Sequence, residues 1–401
     1  MNDLSIDITK KYLVAVSGGA DSIFMLDQLI KIIDNKNIVV CHVNYNYRSD
    51  SNFDQQLVTD FCKQNNLQLE VLNVKQNYSE LKNNFESWAR FKRYDFFNKI
   101  ANQYKIFDLL VAHNYNDLIE TYLLQKQRNS LVSYYGLKSI TKYKDLTIYR
   151  PILAVKKSYI INYLNESKIN YITDWTNDDL KFQRNKIRST LNENDFESIL
   201  NQIKIDNLKL EKINQIVDNF LDENLVNDEL ELTKQLYEFD HQVVQRIIYN
   251  YFKKINKEHL LINRSNKTIV EITKTLISSK KNFWKITLNN FSLIKDYNKL
   301  FIIANDSLKT KTLEINNLDD LANQTLFNNI SELEKIIIDQ KKFSYIITND
   351  FEKYKLETTV DHKKTNRYFI DKKIRYKSRI LNPVLYNKKD KIILNKIKKY
   401  Y

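Results

Sequence analysis

The amino-acid sequence predicts an α/β fold: a parallel twisted sheet with helices on both faces, followed by a mainly helical domain and a small α+β domain. Three observations predict it. Strand-like apolar runs alternate with amphipathic stretches in the first part of the chain, as in parallel sheets covered by helices. From about Ser189 helical periodicity continues without intervening strands. The last part mixes short strand-like pieces with lysine-rich segments.

The first part supplies the predicted sheet. Apolar runs predict buried strands at Leu13–Val16, Ile38–Val43, Leu69–Val74 and Leu109–Ala112. Ligands of such sheets bind at the carboxyl ends of the strands. Because Ser17, His42 and His113 follow or close these strands, we expect them to converge on one crevice.

The later part predicts helices at 203–221 and 236–255, and then a hairpin of strands at 283–288 and 300–303. A further strand-like run spans 343–347, before a lysine-rich end at 388–399. The expected domains are therefore 1–190, 191–307 and 308–401. No Gly/Pro linker marks either boundary.

Composition limits the class of protein. A net charge of +14 and a pI near 9.3 favour a polyanionic partner such as RNA, although AT-rich coding would raise lysine content equally well. Cys41 and Cys62 are far apart, so the default is two buried thiols without zinc, an iron–sulfur cluster or a disulfide. The N-terminus lacks a signal-peptide core, and no apolar run reaches membrane-spanning length. We expect a cytoplasmic protein without membrane contact.

The hexapeptide Ser17–Ser22 is the first motif that predicts chemistry. It contains Gly18 and Gly19, two of only three glycines, between a strand-like run and a helical one. The first amides of a helix favour an anion, and the Ser17 and Ser22 hydroxyls can add donors. Asp21 can hold a magnesium ion. The pattern predicts a nucleotide-phosphate cradle without a Walker lysine. The alternative is an ordinary glycine turn.

This hexapeptide, with Ala20 at its variable position, resembles the Ser-Gly-Gly-x-Asp-Ser signature of the ATP pyrophosphatases, or PP-loop superfamily. The resemblance implies an adenine nucleotide alpha hydrolase-like fold. It also implies ATP binding by Ser17–Ser22 and cleavage of ATP between its α and β phosphates.

A second motif, Ala112–Thr121, places His113 at a strand end and Asp117 and Glu120 on one helical face. These groups could hold magnesium and manage protons, or simply form a polar helix start. The segment resembles the Ala-His-His-x-Asp-Asp-x-x-Glu-Thr motif of tRNA(Ile)-lysidine synthases. Here Asn114 replaces the second His and Asn116 the first Asp.

Further stretches resemble the same family. Tyr45 replaces the second His of its His-x-x-His-x-x-Arg stretch, which here ends at Arg48. Arg184 and Arg188, one helical turn apart, match Arg-Asn-x-x-Arg; otherwise they would be read as a solvated helix surface. The other matching stretches are Glu86–Tyr94, Arg128, Gly136–Leu137, Arg150–Leu153 and Asp174–Asn177.

The resemblance implies a ligase that uses ATP to join free L-lysine to the first anticodon cytidine of tRNA(Ile) with a CAU anticodon. The catalytic residues would be Asp21, His113, Asp117, Glu120, Arg184 and Arg188. Asp21 and Asp117 would hold Mg²⁺, and the helical and basic regions would bind the tRNA. A homodimer is also consistent with the family. Two alternatives stay open: another PP-loop tRNA-modifying enzyme, and a non-catalytic tRNA-binding relative.

Overall fold

A computed structural model describes residues 6–46, 51–75, 85–173, 183–261, 266–327, 330–340 and 344–395. The chain forms two compact units, residues 1–212 and 213–401. The finer three-domain division stays a prediction. Within the described ranges, no helix is both long and apolar enough to cross a membrane. The predicted motif residues Arg48 and Asp174–Asn177 lie outside the described residues.

The first unit contains the predicted parallel sheet, with strand order β3-β2-β1-β4-β6-β5. All its pairs are parallel except β5 with β6 at one edge. Its strands are β1 (Tyr12–Ala15), β2 (Ile38–Asn44), β3 (Gln68–Asn73), β4 (Asp108–Leu110), β5 (Ile140–Tyr143) and β6 (Leu146–Tyr149). Its helices are α1 (Ala20–Leu29), α2 (Ser51–Gln64), α3 (Phe85–Tyr104), α4 (Tyr115–Gln127), α5 (Lys157–Glu166), α6 (Gln183–Thr190) and the start of α7 (Phe196–Asn224).

Helices cover both faces of this sheet. Successive side chains of a strand point to opposite faces. Accordingly, Tyr12 and Val14 of β1 belong to a core that includes residues of α1, α2 and α5. Leu13 between them packs in a second core with α3 residues such as Phe97. The predicted fold class and the four predicted strands are therefore confirmed, with small differences at the strand ends.

The described part of the second unit combines three antiparallel sheets, of five, three and two strands, with helices. Strand order is β7-β8-β11-β10-β9 in one sheet and β12-β13-β16 in another, and β14 pairs with β15. Its strands are β7 (Leu225–Val226), β8 (Glu229–Glu231), β9 (Phe283–Leu288), β10 (Phe291–Asp296), β11 (Lys299–Ala304), β12 (Thr312–Ile315), β13 (Tyr345–Thr348), β14 (Thr359–Val360), β15 (Lys363–Lys364) and β16 (Val384–Asn387). Its helices are α8 (Lys234–Glu238), α9 (His241–Lys254), α10 (Lys267–Ser278), α11 (Leu318–Ala322), α12 (Ile330–Gln340), α13 (Phe351–Glu357), α14 (Thr365–Asp371) and α15 (Tyr376–Leu381).

Three local predictions in this region were wrong. The predicted helix at 236–255 is two helices, because Phe239 has extended backbone angles between α8 and α9. The apolar spacing continues across that break, so periodicity alone does not reveal it. Strands β7 and β8 also interrupt the run of helices in which no strand was expected.

The expected hairpin partners, β9 and β11, do not pair with each other. Strand β10 lies between them and pairs antiparallel with both. The connections are two residues long and contain Asn289 and Tyr297 at positive φ angles of 54° and 56°. Tight hairpin turns need such angles and use glycine or asparagine for them. In a nearly glycine-free sequence rich in asparagine these two turns are hard to recognise.

Candidate active site

The phosphate cradle is the loop between β1 and α1. Gly18 has φ of +92°, a conformation that favours glycine, and a Cβ atom there would meet Ile172 Cδ1 at 2.4 Å. Gly19 is the N-cap of α1 with φ of −70°. A second contact fixes the loop, since the Ile172 N–H donates to the Gly18 carbonyl at 3.0 Å. The loop therefore has one shape, set by Gly18 and by a distant segment.

Ser22 holds this loop from inside. Its Oγ accepts hydrogen bonds from the N–H groups of Ser17 and Gly18, both at 3.2 Å, and its hydroxyl donates to the Gly19 carbonyl at 2.9 Å. The residue is 4% exposed. Sequence reasoning assigned the Ser22 hydroxyl to phosphate, and that assignment stays a prediction; in the structure the same oxygen joins the loop to the start of α1. The Ser22 N–H donates to the Gly19 carbonyl at 3.0 Å. The N–H groups that open a helix ahead of that point have no intrahelical acceptor, and together with the helix dipole they favour an anion.

Asp21 lies at the start of α1 and receives two donors on one oxygen. Lys157 Nζ lies 2.8 Å from Asp21 Oδ1, and Asn114 Nδ2 donates to the same atom at 2.9 Å. Lys157 is the first residue of α5. This lysine was not among the residues predicted from the sequence. No spacing or motif of the sequence indicated it, because a lysine at the start of a helix in a lysine-rich chain reads as an ordinary surface residue.

Asn114 also begins α4. Its side-chain oxygen accepts from the Asp117 N–H at 3.0 Å, and Asp117 Oδ2 accepts from the Asn114 N–H at 3.1 Å. This reciprocal pair satisfies two donors that the helix itself leaves unpaired. Asn114, which departs from the family motif, therefore caps α4 and connects Asp117 to Asp21 through its hydrogen bonds.

Asn116, the second departure, anchors α5. Its Oδ1 accepts from the Lys157 N–H at 3.0 Å, and its Nδ2 donates to Glu193 Oε1 at 3.1 Å. Glu193 also accepts from the Ser158 N–H at 3.2 Å and from the Ser158 hydroxyl. Asn116 therefore sets where α5, and with it Lys157, begins.

The two predicted carboxylates face the two predicted arginines. Glu120 is 1% exposed and accepts from Arg184 Nε at 3.0 Å and from Arg188 Nε at 2.8 Å. Asp117 Oδ1 lies 3.6 Å from the Arg184 guanidinium. Burial raises the pKa of Asp117 above its ordinary value of 3.8. The arginines are partly exposed, so Glu120 holds two guanidinium groups at the edge of the site.

His113 is a poor proton acceptor in this environment. Burial, followed by nearby arginines such as Arg150, lowers its pKa from 6.5 to about 3. Its Nδ1 is buried and has no hydrogen-bond partner among the described residues. A neutral imidazole suits a hydrogen bond to a ligand better than it suits acid–base catalysis.

A cavity of about 260 Å³ opens beside the cradle. Its wall includes Ser17, Asp21 and His113 together with aromatic and basic side chains from α3. Tyr45, the third departure from the family motif, accepts from Arg93 Nε at 3.1 Å and donates to the Ala89 carbonyl at 2.9 Å. An aromatic wall with fixed arginines suits a nucleotide.

The donor set fits magnesium that arrives with a nucleotide. Mg²⁺ is commonly held by one or two carboxylates plus substrate phosphates. Asp21 and Asp117 both contact Asn114 next to the phosphate cradle, which provides two such carboxylates. Among the described residues no cluster of three or more His, Cys, Asp or Glu side chains forms a resident metal site.

Comparison with known proteins identifies the family of this chain. Residues 2–195 match the family model of the PP-loop domain. The chain is 63% identical over 401 residues to the tRNA(Ile)-lysidine synthase of Mycoplasma mycoides subsp. mycoides SC, covering 100% of both chains. It is 49% identical to that of Mesoplasma florum, covering 99% of this chain and 100% of the relative. For Ureaplasma parvum serovar 3 the identity is 32%, over 79% and 92% of the two chains. This chain belongs to the tRNA(Ile)-lysidine synthase family.

Proposed function

We propose that this enzyme joins free L-lysine to the first anticodon cytidine of tRNA(Ile) with a CAU anticodon, through an adenylated cytidine. The observation that carries the proposal is one site that combines a phosphate cradle, two carboxylates and two arginines beside a cavity. The chain uses ATP as a PP-loop protein of this family.

In the first step the 2-carbonyl oxygen of cytidine attacks the α-phosphorus of ATP. A phosphorus–oxygen bond forms, and the bond to pyrophosphate breaks. The Gly18–Gly19 loop and the first turn of α1 bind phosphate oxygens. Arg184 and Arg188, held by Glu120, stabilise the charge that develops on them. Magnesium held by Asp21 would neutralise phosphate charge, which leaves Asp117 free of metal for the second step.

In the second step the ε-amine of lysine attacks C2 of the cytidine. A carbon–nitrogen bond forms, the bond from C2 to the AMP oxygen breaks, and the amine loses a proton. Free lysine is an ammonium ion with a pKa near 10.4 and must be deprotonated before attack. Asp117 is a stronger base than an ordinary carboxylate because burial raises its pKa, whereas His113 stays neutral. We therefore assign Asp117, rather than His113, as the group that meets the ammonium.

The thiols argue against a sulfur-transfer reaction. Cys41 and Cys62 are free and buried. Burial raises the pKa of both thiols, that of Cys62 to about 12. A thiolate is the reactive form of cysteine, and neither residue supplies one near neutral pH.

The test incubates the protein with Mg²⁺, ATP, L-lysine and unmodified tRNA(Ile) bearing CAU, followed by mass spectrometry of the nucleosides. Lysidine should form only when ATP and lysine are both present. A methionine tRNA with the same anticodon serves as the specificity control. Sedimentation of the free protein tests the homodimer.

Asp21→Ala should abolish pyrophosphate release while leaving the fold intact. Retained activity in that variant would remove Asp21 from the proposed mechanism. If the wild-type protein binds the tRNA tightly but forms no lysidine beside a competent family member, it is a binding protein and the proposal is wrong.

A further inference from the structure

Lys157 is a cation that the known motifs of the site do not include. It is the first residue of α5, where a positive charge opposes the helix dipole. Its ammonium nevertheless lies 2.8 Å from Asp21 Oδ1, beside the phosphate cradle. Its side chain is 37% exposed, so it can move without unfolding anything around it.

The backbone of Lys157 is fixed more firmly than its side chain. The Lys157 N–H donates to Asn116 Oδ1, and Asn116 in turn contacts Glu193, which also binds Ser158. These contacts attach the start of α5 to the start of α4. The base of the lysine is therefore set by two polar side chains, while its ammonium has one ionic partner in the described structure, Asp21.

The cradle itself contains no lysine. In Walker loops a lysine of the loop contacts the phosphates, but the segment Ser17–Ser22 contains no lysine. A triphosphate entering the cradle brings negative charge next to Asp21. An ammonium already at that carboxylate offsets the repulsion and can shift onto a phosphate oxygen at little cost.

We propose that Lys157 binds the phosphates of ATP and supplies the positive charge that the loop lacks, and that Asn116 is the residue that positions it. This inference rests on the proposed function only in its choice of nucleotide. Before ATP arrives Asp21 holds the ammonium at the cradle; afterwards the ammonium pairs with phosphate. Hydrogen bonds between charged groups contribute about 1.5–3 kcal/mol each, so removing this one should weaken ATP binding about ten- to hundredfold.

The test is equilibrium binding by titration calorimetry of the full chain with α,β-methylene-ATP and, separately, with adenosine. Lys157→Met should weaken the triphosphate at least tenfold and leave adenosine within about twofold, and Lys157→Arg should recover part of the loss. Lys156→Met is the matched control. That residue is the neighbouring lysine, its ammonium contacts the Glu193 carbonyl, and its loss should change neither affinity.

The positioning role of Asn116 is tested by a double variant. Asn116→Ala should weaken triphosphate binding, but Asn116→Ala combined with Lys157→Met should be no weaker than Lys157→Met alone. Unchanged triphosphate binding in Lys157→Met, or equal losses for adenosine, would overturn the proposal; Lys157→Gln provides a second variant if the methionine protein does not fold. Binding is measured without turnover, so these results stand whether or not the wild-type protein forms lysidine.

Discussion

Replacing Gly18 by alanine is the sharpest test of how the cradle is built. Alanine at a φ of +92° costs about 1–3 kcal/mol. The new Cβ would lie 2.4 Å from Ile172 Cδ1, whereas carbon atoms in contact prefer about 3.5–4.0 Å, so the isoleucine must move. Ile172 Cδ1 is the far end of a half-buried side chain that can turn aside, so this contact adds less than the about 1–3 kcal/mol typical of overpacking in a core. Alanine regains about 0.4–1 kcal/mol by restricting the unfolded chain. The backbone strain therefore dominates, and we expect a net loss of about 1–3 kcal/mol in the free energy of unfolding of the first unit.

Gly19→Ala is the matched control, one residue away. Its φ is −70°, and a Cβ there would meet Ser17 Oγ at 3.5 Å and the Ile172 carbonyl oxygen at 4.0 Å, which are ordinary contacts. We expect a change below about 1 kcal/mol for this variant. In a Trp284→Phe background, tryptophan fluorescence during urea unfolding reports the first unit alone.

Ile172→Val separates the two terms of the estimate. It removes Cδ1, the atom that the new methyl group would strike, and by itself costs about 0.5–1.5 kcal/mol. In the Gly18→Ala background, Ile172→Val should lower the free energy of unfolding by less than it does in the wild type, or should even raise it. The reason is that the overlap with Cδ1 is gone and only the backbone strain at residue 18 remains. The reasoning is refuted if Gly18→Ala unfolds like wild type, or if Gly19→Ala is equally destabilised.

Three further predictions concern the helix cap, the buried histidine and the thiols. Asn114→Ala removes the cap of α4 and should lower stability by about 0.5–2 kcal/mol in urea unfolding, with Asn114→Ser recovering most of it. Equal losses in both variants would contradict the capping role. His113 has a native pKa near 3, below its unfolded value, so its neutral form stabilises the native state above pH 6.5 and this contribution is lost as pH falls. Between pH 7 and 5.5 the wild type should lose about 1 kcal/mol that His113→Asn does not lose; parallel pH curves would refute this. Cys41 and Cys62 should react with a disulfide reagent at pH 8 only after unfolding, because burial raises the pKa of both; fast modification of the native protein would disprove it.

The sheet was predictable because its strands are strongly apolar and each of the two central ones is followed at once by motif residues. Leu13–Val16 ends at the glycine pair, and Leu109–Ala112 ends at His113, so both the strands and the edge at which their ends meet follow from the pattern. Strand β10 was missed for the opposite reason. Asn289 and Tyr297 form its bounding turns without glycine. The pair Asn289-Asn290 is a turn signal, but asparagine is so common in this chain that the pair does not stand out.

Only the site residues that belong to recognisable motifs were predictable from the sequence. Arg184 and Arg188 could be placed near Glu120 by resemblance, and the structure shows direct contacts between them. Spacing cannot show that Lys157 reaches Asp21, because the two residues are brought together by the packing of α5 against α1. Nor can a motif show that Ser22 closes the loop, since a hydroxyl can either hold backbone groups or bind a ligand.

The contact between Gly18 and Ile172 has a consequence for synthesis on the ribosome. The loop leaves the exit tunnel early, but the backbone groups that brace it, at Ile172, follow roughly 8–30 s later at ordinary rates of elongation. A nascent chain ending before Ile172 has the complete hexapeptide and lacks its brace. Nucleotide affinity should therefore be absent from such truncated chains and arise in one step once the bracing segment has emerged.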